Sequence, residues 1–226
     1  MNPIQHIEDF VKQTMNSVAV PDLRIAHEFI HVDRVRCWAL QIATGEGYED
    51  LALVEAAALL HDVGLAYVEQ RSQHGQTGAQ VAAQFLRDAR LFAEHEIEII
   101  AEAIGCHNSP RGGGMLAAIL RDADILDALG AIGLMRAFTS KYMLPEYDPH
   151  NAKGDTWGTT AQEYTRRFAA GKGVGEYLVD QVNFQIGFFG NLSTQTARRL
   201  AQPLVEFMQA FLLQLESEAS AGRNRA

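Results

Sequence analysis

The amino-acid sequence predicts an all-α fold, a bundle of helices without a sheet. Apolar residues recur at helical spacing through most of the chain, and no segment shows the strict alternation of a half-buried strand. The 226 residues are 47% hydrophobic, which suffices for one sizeable core but not for several ordinary domains. We therefore predict a single domain over residues 1–226, with a core at about 22–142 and C-terminal helices at about 160–218.

Four helices are predicted in the first half of the chain. The first runs from about Asp22–Thr44 and stops at the glycines that follow. The second covers about Asp50–Val63 and is almost continuously apolar, with Gly64 at the place of a helix C-terminal glycine. The third and fourth cover about Gln73–Arg90 and Glu94–His107, the latter with isoleucines and glutamates on opposite faces.

The second half begins after a clear break at Asn108–Gly114, which contains proline and three consecutive glycines. A long helix is predicted over about Met115–Tyr142. A loop is predicted over Pro145–Thr160, which holds Pro, Asp, Asn and Gly. Three further helices follow, at about Thr160–Ala170, Glu176–Phe189 and Thr194–Glu218.

Composition excludes several classes of function. The net charge is -9, from 19 basic and 28 acidic residues, which argues against duplex nucleic acid or an anionic membrane as partner. The two cysteines, Cys37 and Cys106, are too few for a disulfide scaffold and fit a reducing compartment. The first residues offer no apolar signal segment, and no apolar run is long enough to span a membrane. We expect a cytoplasmic protein.

Two segments place histidines where an ordinary surface side chain is not expected. His27, His31 and Arg34 follow i, i+4, i+7 spacing and would share one helix face. His61 and Asp62 end a helix whose preceding turns are wholly apolar. Because burying an unpaired charge is costly, this His-Asp pair must be partnered or bound to metal.

A third segment contributes carboxylates. Asp124 has small apolar neighbours along its helix, which is a poor setting for a solvated charge, and Asp127 lies one turn later, where it could orient a ligand or a water. The neighbouring pair Arg121–Asp122 is expected to be surface charge. His74 opens a helix and His107 continues an apolar face, and both have credible structural roles as well as ligand roles.

Neutral imidazoles and carboxylates without sulfur suit divalent Mn, Fe, Zn, Co, Ni or Mg. Ligands from three separate helices can hold one ion and leave positions open for water. Asp62 could bridge to a second ion held by His74 and His107, so one or two ions per chain are expected. Either arrangement activates water and neutralises a phosphoryl group under attack.

The order H…HD…D, formed by His31, His61–Asp62 and Asp124 on an all-α chain, resembles the HD superfamily of metal-dependent phosphohydrolases. The segments HVDRV, ALLHDVG and RDADILDALGAIGLMRAF are each similar to signature segments of that family. The resemblance covers roughly residues 22–140, and residues 194–218 resemble the closing helix of the small stand-alone bacterial HD hydrolases. It implies an HD-domain helical bundle.

The resemblance also implies roles for individual residues. Its metal ligands fall on His31, His61, Asp62 and Asp124, and the additional ligands of two-metal family members fall on His74 and His107. The lysine found after the HD motif in cyclic-dinucleotide phosphodiesterases is Leu65 here, and no GYP follows His107. A cyclic dinucleotide is therefore not the expected substrate.

We accordingly predict a metal-dependent phosphohydrolase that cleaves a phosphate ester or pyrophosphate bond of a small nucleotide with activated water. A nucleoside triphosphate cleaved to monophosphate and pyrophosphate fits the stand-alone members best. The predicted catalytic residues are Asp62, Asp127 and Arg34. Arg34, Lys141 and Arg136 are candidates for binding phosphate, with a surface role as the alternative for all three. The expected partner is a small phosphorylated substrate, with no duplex nucleic acid and no membrane; a homo-oligomer is left open.

Two alternatives stay open at this point. The segment His27–His31 matches H-E-x-x-H, the zinc-protease signature, which would make His27 and His31 ligands and Glu28 the general base. That reading needs a third ligand and a substrate-binding strand, and it leaves Asp62 and Asp124 unexplained. The other alternative is a non-catalytic HD module that binds a nucleotide without turning it over.

Overall fold

The structure, a computed structural model, describes residues 3–18, 27–109 and 112–221. Within these ranges it is helical and has no β-strand, only an isolated bridge between Asp148 and Asn151. The all-α prediction is confirmed. None of the described helices is long and apolar enough to cross a membrane.

The α-helices, in chain order, are α1 (Pro3–Asn16), α2 (Phe29–Glu46), α3 (Leu51–Leu60), α4 (His74–Ala89), α5 (Glu94–Cys106), α6 (Met115–Asp127), α7 (Gly130–Ser140), α8 (Ala161–Ala169), α9 (Leu178–Gly187) and α10 (Gln195–Ala221). Short 3-10 helices lie at Val63–Tyr67, Arg71–Gln73 and Phe188–Asn191. The helices α4, α5, α8, α9 and α10 confirm the predicted segments to within a few residues. Helix α1 was not predicted, although its buried Ile7, Val11 and Met15 follow helical spacing.

Helix α2 begins later than the sequence pattern indicates. Its first residue is Phe29, because Glu28 has an extended backbone with φ −75° and ψ 165°. The predicted start, at residues 22–26, lies outside the described residues. The helix ends at Gly47, whose φ of 70° is left-handed. His27 therefore lies before the helix that carries His31, and the predicted shared helix face was wrong for His27.

Helix α3 also ends earlier than predicted, at Leu60, so that His61 and Asp62 form a turn before the first 3-10 helix. Gly64 is not a left-handed cap. A Cβ at Gly64 would lie 2.0 Å from the carbonyl oxygen of His74 and 2.6 Å from the backbone nitrogen of Gly78. The glycine is needed because the start of α4 packs directly against the His61–Asp62 turn.

The predicted long helix over Met115–Tyr142 was wrong. The helix ends at Asp127, because Leu129 has an extended backbone and Gly130 has a left-handed φ of 67°. A helix cannot pass through these two conformations, so α6 and α7 are separate elements.

The expected surface position of Arg121 and Asp122 was also wrong. Asp122 is fully buried, and its carboxylate accepts hydrogen bonds from the backbone N–H groups of Ser193 and Thr194 at 2.9 and 2.7 Å. The Thr194 hydroxyl donates to the same carboxylate at 2.8 Å. Arg121 is 6% exposed and donates to the carbonyl oxygen of Gly112.

Contacts divide the chain into two compact units, Met1–Asp127 with Ser193–Ala197 and Ala128–Leu192 with Arg198–Ala226. In the first unit, α4 packs on α5, and α2 packs on both α3 and α6. The second unit contains α7, α8 and α9 and most of α10, with α7 packed on α9. Every site residue predicted from the sequence belongs to the first unit, while the single-domain expectation stays a prediction.

Candidate metal centre

The predicted site residues of the first unit converge on the carboxylate of Asp62. Asp62 lies in the turn after α3 and is 2% exposed. Helix α4 can pack closely against this turn because residue 64 is a glycine. The residues that surround Asp62 come from the start of α2, the end of α3, the start of α4, the end of α5 and the end of α6, and they are His27, His31, His61, His74, His107 and Asp124.

One oxygen of Asp62 faces the histidines of α2 and α3. Asp62 Oδ2 lies 3.4 Å from His31 Nε2 and 3.4 Å from His61 Nε2. His27 Nδ1 donates a hydrogen bond to the same oxygen at 2.8 Å. His31 Nε2 is also 3.4 Å from Asp124 Oδ1, so the side chains of His31, His61 and Asp124 offer ligand atoms that lie within 4.8 Å of one another.

The other oxygen of Asp62 faces the histidines of α4 and α5. Asp62 Oδ1 lies 3.3 Å from His74 Nε2 and 3.9 Å from His107 Nε2. The two Nε2 atoms are 3.0 Å apart. Asp62, His74 and His107 therefore form a second group of ligand atoms within 4.8 Å of one another, and His27, His31 and Asp62 form a third.

Four of these histidines are held in one tautomer. Each directs Nδ1 to an oxygen that only accepts hydrogen bonds, so in the neutral ring the proton is on Nδ1 and a lone pair is on Nε2, which faces Asp62. The four pairs are His31 with Asp127 Oδ2 (2.7 Å), His61 with Ala58 O (2.8 Å), His74 with Arg71 O (2.5 Å) and His107 with Ile104 O (2.6 Å).

Asp127 and Arg34, two of the predicted catalytic residues, lie behind His31. Both oxygens of the buried Asp127 are engaged: Oδ2 accepts from His31 Nδ1, and Arg34 donates to Oδ1 from Nε at 2.6 Å and to Oδ2 from Nη2 at 3.0 Å. Asp127 therefore fixes the ring of His31. The side chain of Arg34 remains 28% exposed.

The mutual proximity of these groups shifts their pKa values strongly. Burial alone would raise the pKa of Asp62, but His61 and its neighbours hold it well below its usual value. Burial would lower the pKa of His61, yet the carboxylates of Asp62 and Asp124 raise it to about 9. Burial and the charge of His61 lower the pKa of His107 to about 4, whereas the bond to Asp62 outweighs burial and raises that of His74.

These residues fit a divalent cation. Within the described part of the chain, the buried His61 Nε2 makes no hydrogen bond, although it faces two carboxylates. Two imidazole nitrogens only 3.0 Å apart, as in His74 and His107, require a proton or a cation between them. Nitrogen and carboxylate oxygen without sulfur is the donor set of Mn, Fe, Zn, Co or Ni sites.

The positions of His27 and His31 do not fit the zinc-protease alternative. A H-E-x-x-H site requires both histidines one turn apart on the same helix. His27 precedes α2 and hydrogen-bonds Asp62, and no strand that could hold a peptide occurs among the residues described. His27 nevertheless belongs to the cluster through its hydrogen bond to Asp62. No pattern in the sequence connects these two residues, which lie 35 positions apart.

Comparison with known proteins gives the family. The HD-domain family model matches residues 29–131, the part of the chain that runs from α2 into α7. The uncharacterized protein YpgQ of Bacillus subtilis is 30% identical over 200 residues, which are 85% of this chain and 84% of YpgQ. The chain belongs to the HD superfamily. Its fold and the order His31, His61–Asp62, Asp124 agree with this assignment.

Solved structures share the fold along nearly the whole chain. An HD-superfamily hydrolase from Bacillus thuringiensis has a TM-score of 0.67 at 23% identity and covers 96% of this chain and 97% of its own. The crystal structure of Bacillus subtilis YpgQ in complex with ADP has a TM-score of 0.62 and covers 96% and 94% respectively, at 23% identity in the superposition.

Proposed function

We propose that this HD protein is a metal-dependent phosphohydrolase that cleaves a phosphate-ester or pyrophosphate bond of a small nucleotide. One observation supports it above the others: the two oxygens of Asp62 each face a separate group of histidine Nε2 atoms. A purely structural role for buried histidines would not require four of them to direct Nε2 at one carboxylate.

The residues divide into two sets of ligands around Asp62. His31, His61 and Asp124, together with the Asp62 oxygen that faces the two histidines, would hold one divalent ion. Asp62, His74 and His107 would hold a second. Ions bound there would supply the charge that activates a water molecule for attack on phosphorus and neutralises the phosphoryl oxygens. Mn, Fe, Zn, Co, Ni and Mg are the candidates by donor type.

The protein residues contribute orientation and charge. Asp127 keeps His31 in the tautomer that presents Nε2, and Arg34 holds Asp127 in place with two hydrogen bonds. Arg34 commits Nε and Nη2 to Asp127 and is partly exposed, so its remaining N–H groups are available to a phosphate oxygen. Asp124, whose side chain is 33% exposed, marks the side of the cluster from which a substrate would enter.

A nucleotide substrate is supported by the relative YpgQ, which has been crystallised with ADP and aligns along most of this chain. The chain has a net charge of -9, which argues against a long nucleic acid as substrate. A small anion would meet positive charge locally, at the cations and Arg34.

The test is a screen for phosphate and pyrophosphate release from nucleoside mono-, di- and triphosphates with added Mn²⁺. The wild type should release one of these products, and Asp62→Ala should lose at least about 10³-fold of the rate because both ligand sets lose their shared member. His95→Ala changes an exposed histidine of α5 and serves as the control.

Two results would contradict the proposal. Full turnover by Asp62→Ala would show that the cluster is not the active site. Nucleotide binding without release of either product, from any nucleotide and with any of the six metals, would instead favour a non-catalytic HD module.

A further inference from the structure

The role of His27 is the least explained part of the cluster. It is 5% exposed, it precedes α2, and its ring packs edge-on against the ring of His31 at 5.4 Å. Unlike the four histidines that present Nε2 to Asp62, His27 presents Nδ1. It therefore faces the cluster in the opposite sense and does not repeat the arrangement of the proposed ligands.

The contact between His27 and Asp62 is also the shortest that this carboxylate makes with the five histidines around it. His27 Nδ1 is 2.8 Å from Oδ2, whereas the other four lie 3.3 to 3.9 Å from an Asp62 oxygen. At 2.8 Å the Nδ1–H group of His27 donates a charge-assisted hydrogen bond to an ionised acceptor. Such a bond fixes the rotation of the carboxylate about its final side-chain torsion.

The rotation of Asp62 decides how its two oxygens are shared. In the observed orientation Oδ2 faces His31 and His61, and Oδ1 faces His74 and His107. A carboxylate free to rotate can direct both oxygens to a single cation, which leaves the other set of ligands without its acidic member. A fixed donor on Oδ2 opposes that rotation.

We infer that His27 is a positioning residue that holds Asp62 in its bridging orientation and thereby sets the affinity for the ion at His74 and His107. This inference rests on the proposed function, because it assumes that the two ligand sets take cations. It assigns His27 neither direct contact with substrate nor metal ligation.

Two substitutions of His27 test whether a hydrogen-bond donor is needed at the position of Nδ1. Both keep a donor in the side chain, but only one keeps it at that position. The side-chain nitrogen of asparagine falls close to the place of histidine Nδ1, whereas that of glutamine falls close to the place of Nε2. Both substitutes are neutral and polar. His27→Asn should therefore keep the hydrogen bond to Asp62 Oδ2, and His27→Gln should lose it.

The experiment measures Mn²⁺ binding to the metal-stripped full chain by calorimetry, together with the electron paramagnetic resonance spectrum at two equivalents of Mn²⁺. The wild type and His27→Asn should bind two ions and give the spectrum of an exchange-coupled pair. His27→Gln should bind the first ion within about threefold of the wild type but the second about 10- to 100-fold more weakly, with loss of the coupled spectrum. Thermal unfolding of all three proteins checks that the fold is kept.

The outcomes distinguish the inference from the proposed function. If the wild type binds no Mn²⁺, the proposed metal centre fails and the inference fails with it. If the wild type binds two ions and His27→Gln binds them equally well, the inference is wrong while the metal centre stands. A wild type with a single ion, or equal losses in His27→Asn and His27→Gln, would also overturn the inference.

Discussion

Replacing Asp127 by asparagine tests whether the buried support behind His31 is what holds the metal ligand in place. The substitution keeps the shape of the side chain but removes its charge and puts an N–H group where an acceptor is needed. Three hydrogen bonds depend on that carboxylate, at 2.6 and 3.0 Å from Arg34 and 2.7 Å from His31. All three are charge-assisted at the acceptor.

The size of the effect follows from the burial of the partners. The side chains of Asp127 and His31 are each 1% exposed, whereas that of Arg34 is 28% exposed. Removing one partner of a buried ion pair costs about 3–5 kcal/mol, and the partial hydration of Arg34 places the expected loss near 3 kcal/mol. With an m-value of about 3 kcal/mol/M, the urea midpoint of the metal-stripped protein should fall by about 1 M.

The matched control is Asp33→Asn on α2, the helix that carries His31 and Arg34. Asp33 pairs with Arg36, but its side chain is 42% exposed, so its loss should cost less than about 1 kcal/mol. In addition, Asp127→Asn should lower the affinity for the first Mn²⁺ ion by about 10- to 100-fold, and Asp33→Asn should leave that affinity unchanged. Equal midpoints and equal metal affinities for the two variants would refute the reasoning.

Two further predictions concern packing and pH. Gly64→Ala places a Cβ 2.0 Å from the backbone of His74 and 2.6 Å from that of Gly78, and should cost about 3 kcal/mol or more in urea unfolding. Gly114→Ala, with no atom within 4 Å, should change stability by less than about 0.5 kcal/mol, and similar losses in both would count against the close approach. Burial raises the pKa of Tyr164 to about 12, so the folded state holds this proton more tightly than the unfolded chain and loses stability as the pH rises above about 10. Tyr164→Phe should reduce the loss between pH 9 and 11 by about 1 kcal/mol, and an unchanged pH profile would contradict the shift.

Much of the cluster was predictable because its ionisable residues lie within apolar stretches of the sequence. His61 and Asp62 follow an apolar helix, and Asp124 lies on a helix face of small residues. Charge in such settings requires a partner, and the order of these residues matches the family signature. The structure brings them together around one carboxylate, although a local pattern contains no distances between helices.

What the sequence did not predict depends on partners far away in the chain. Asp122 is an unremarkable charge by sequence, and it is buried because Ser193 and Thr194, some 70 residues later, supply its hydrogen bonds. The bond from His27 to Asp62 is equally long-range. The prediction of one continuous helix through α6 and α7 failed for a different reason. Helical periodicity continues across Gly130, whose left-handed backbone is visible only in the structure.

The most direct test of the account is anomalous diffraction from a crystal of this protein grown with Mn²⁺. We predict two peaks near Asp62, one in contact with His31, His61 and Asp124 and the other in contact with His74 and His107. A peak held by His27 and His31 without Asp62, or no peak within coordination distance of Asp62, would contradict it.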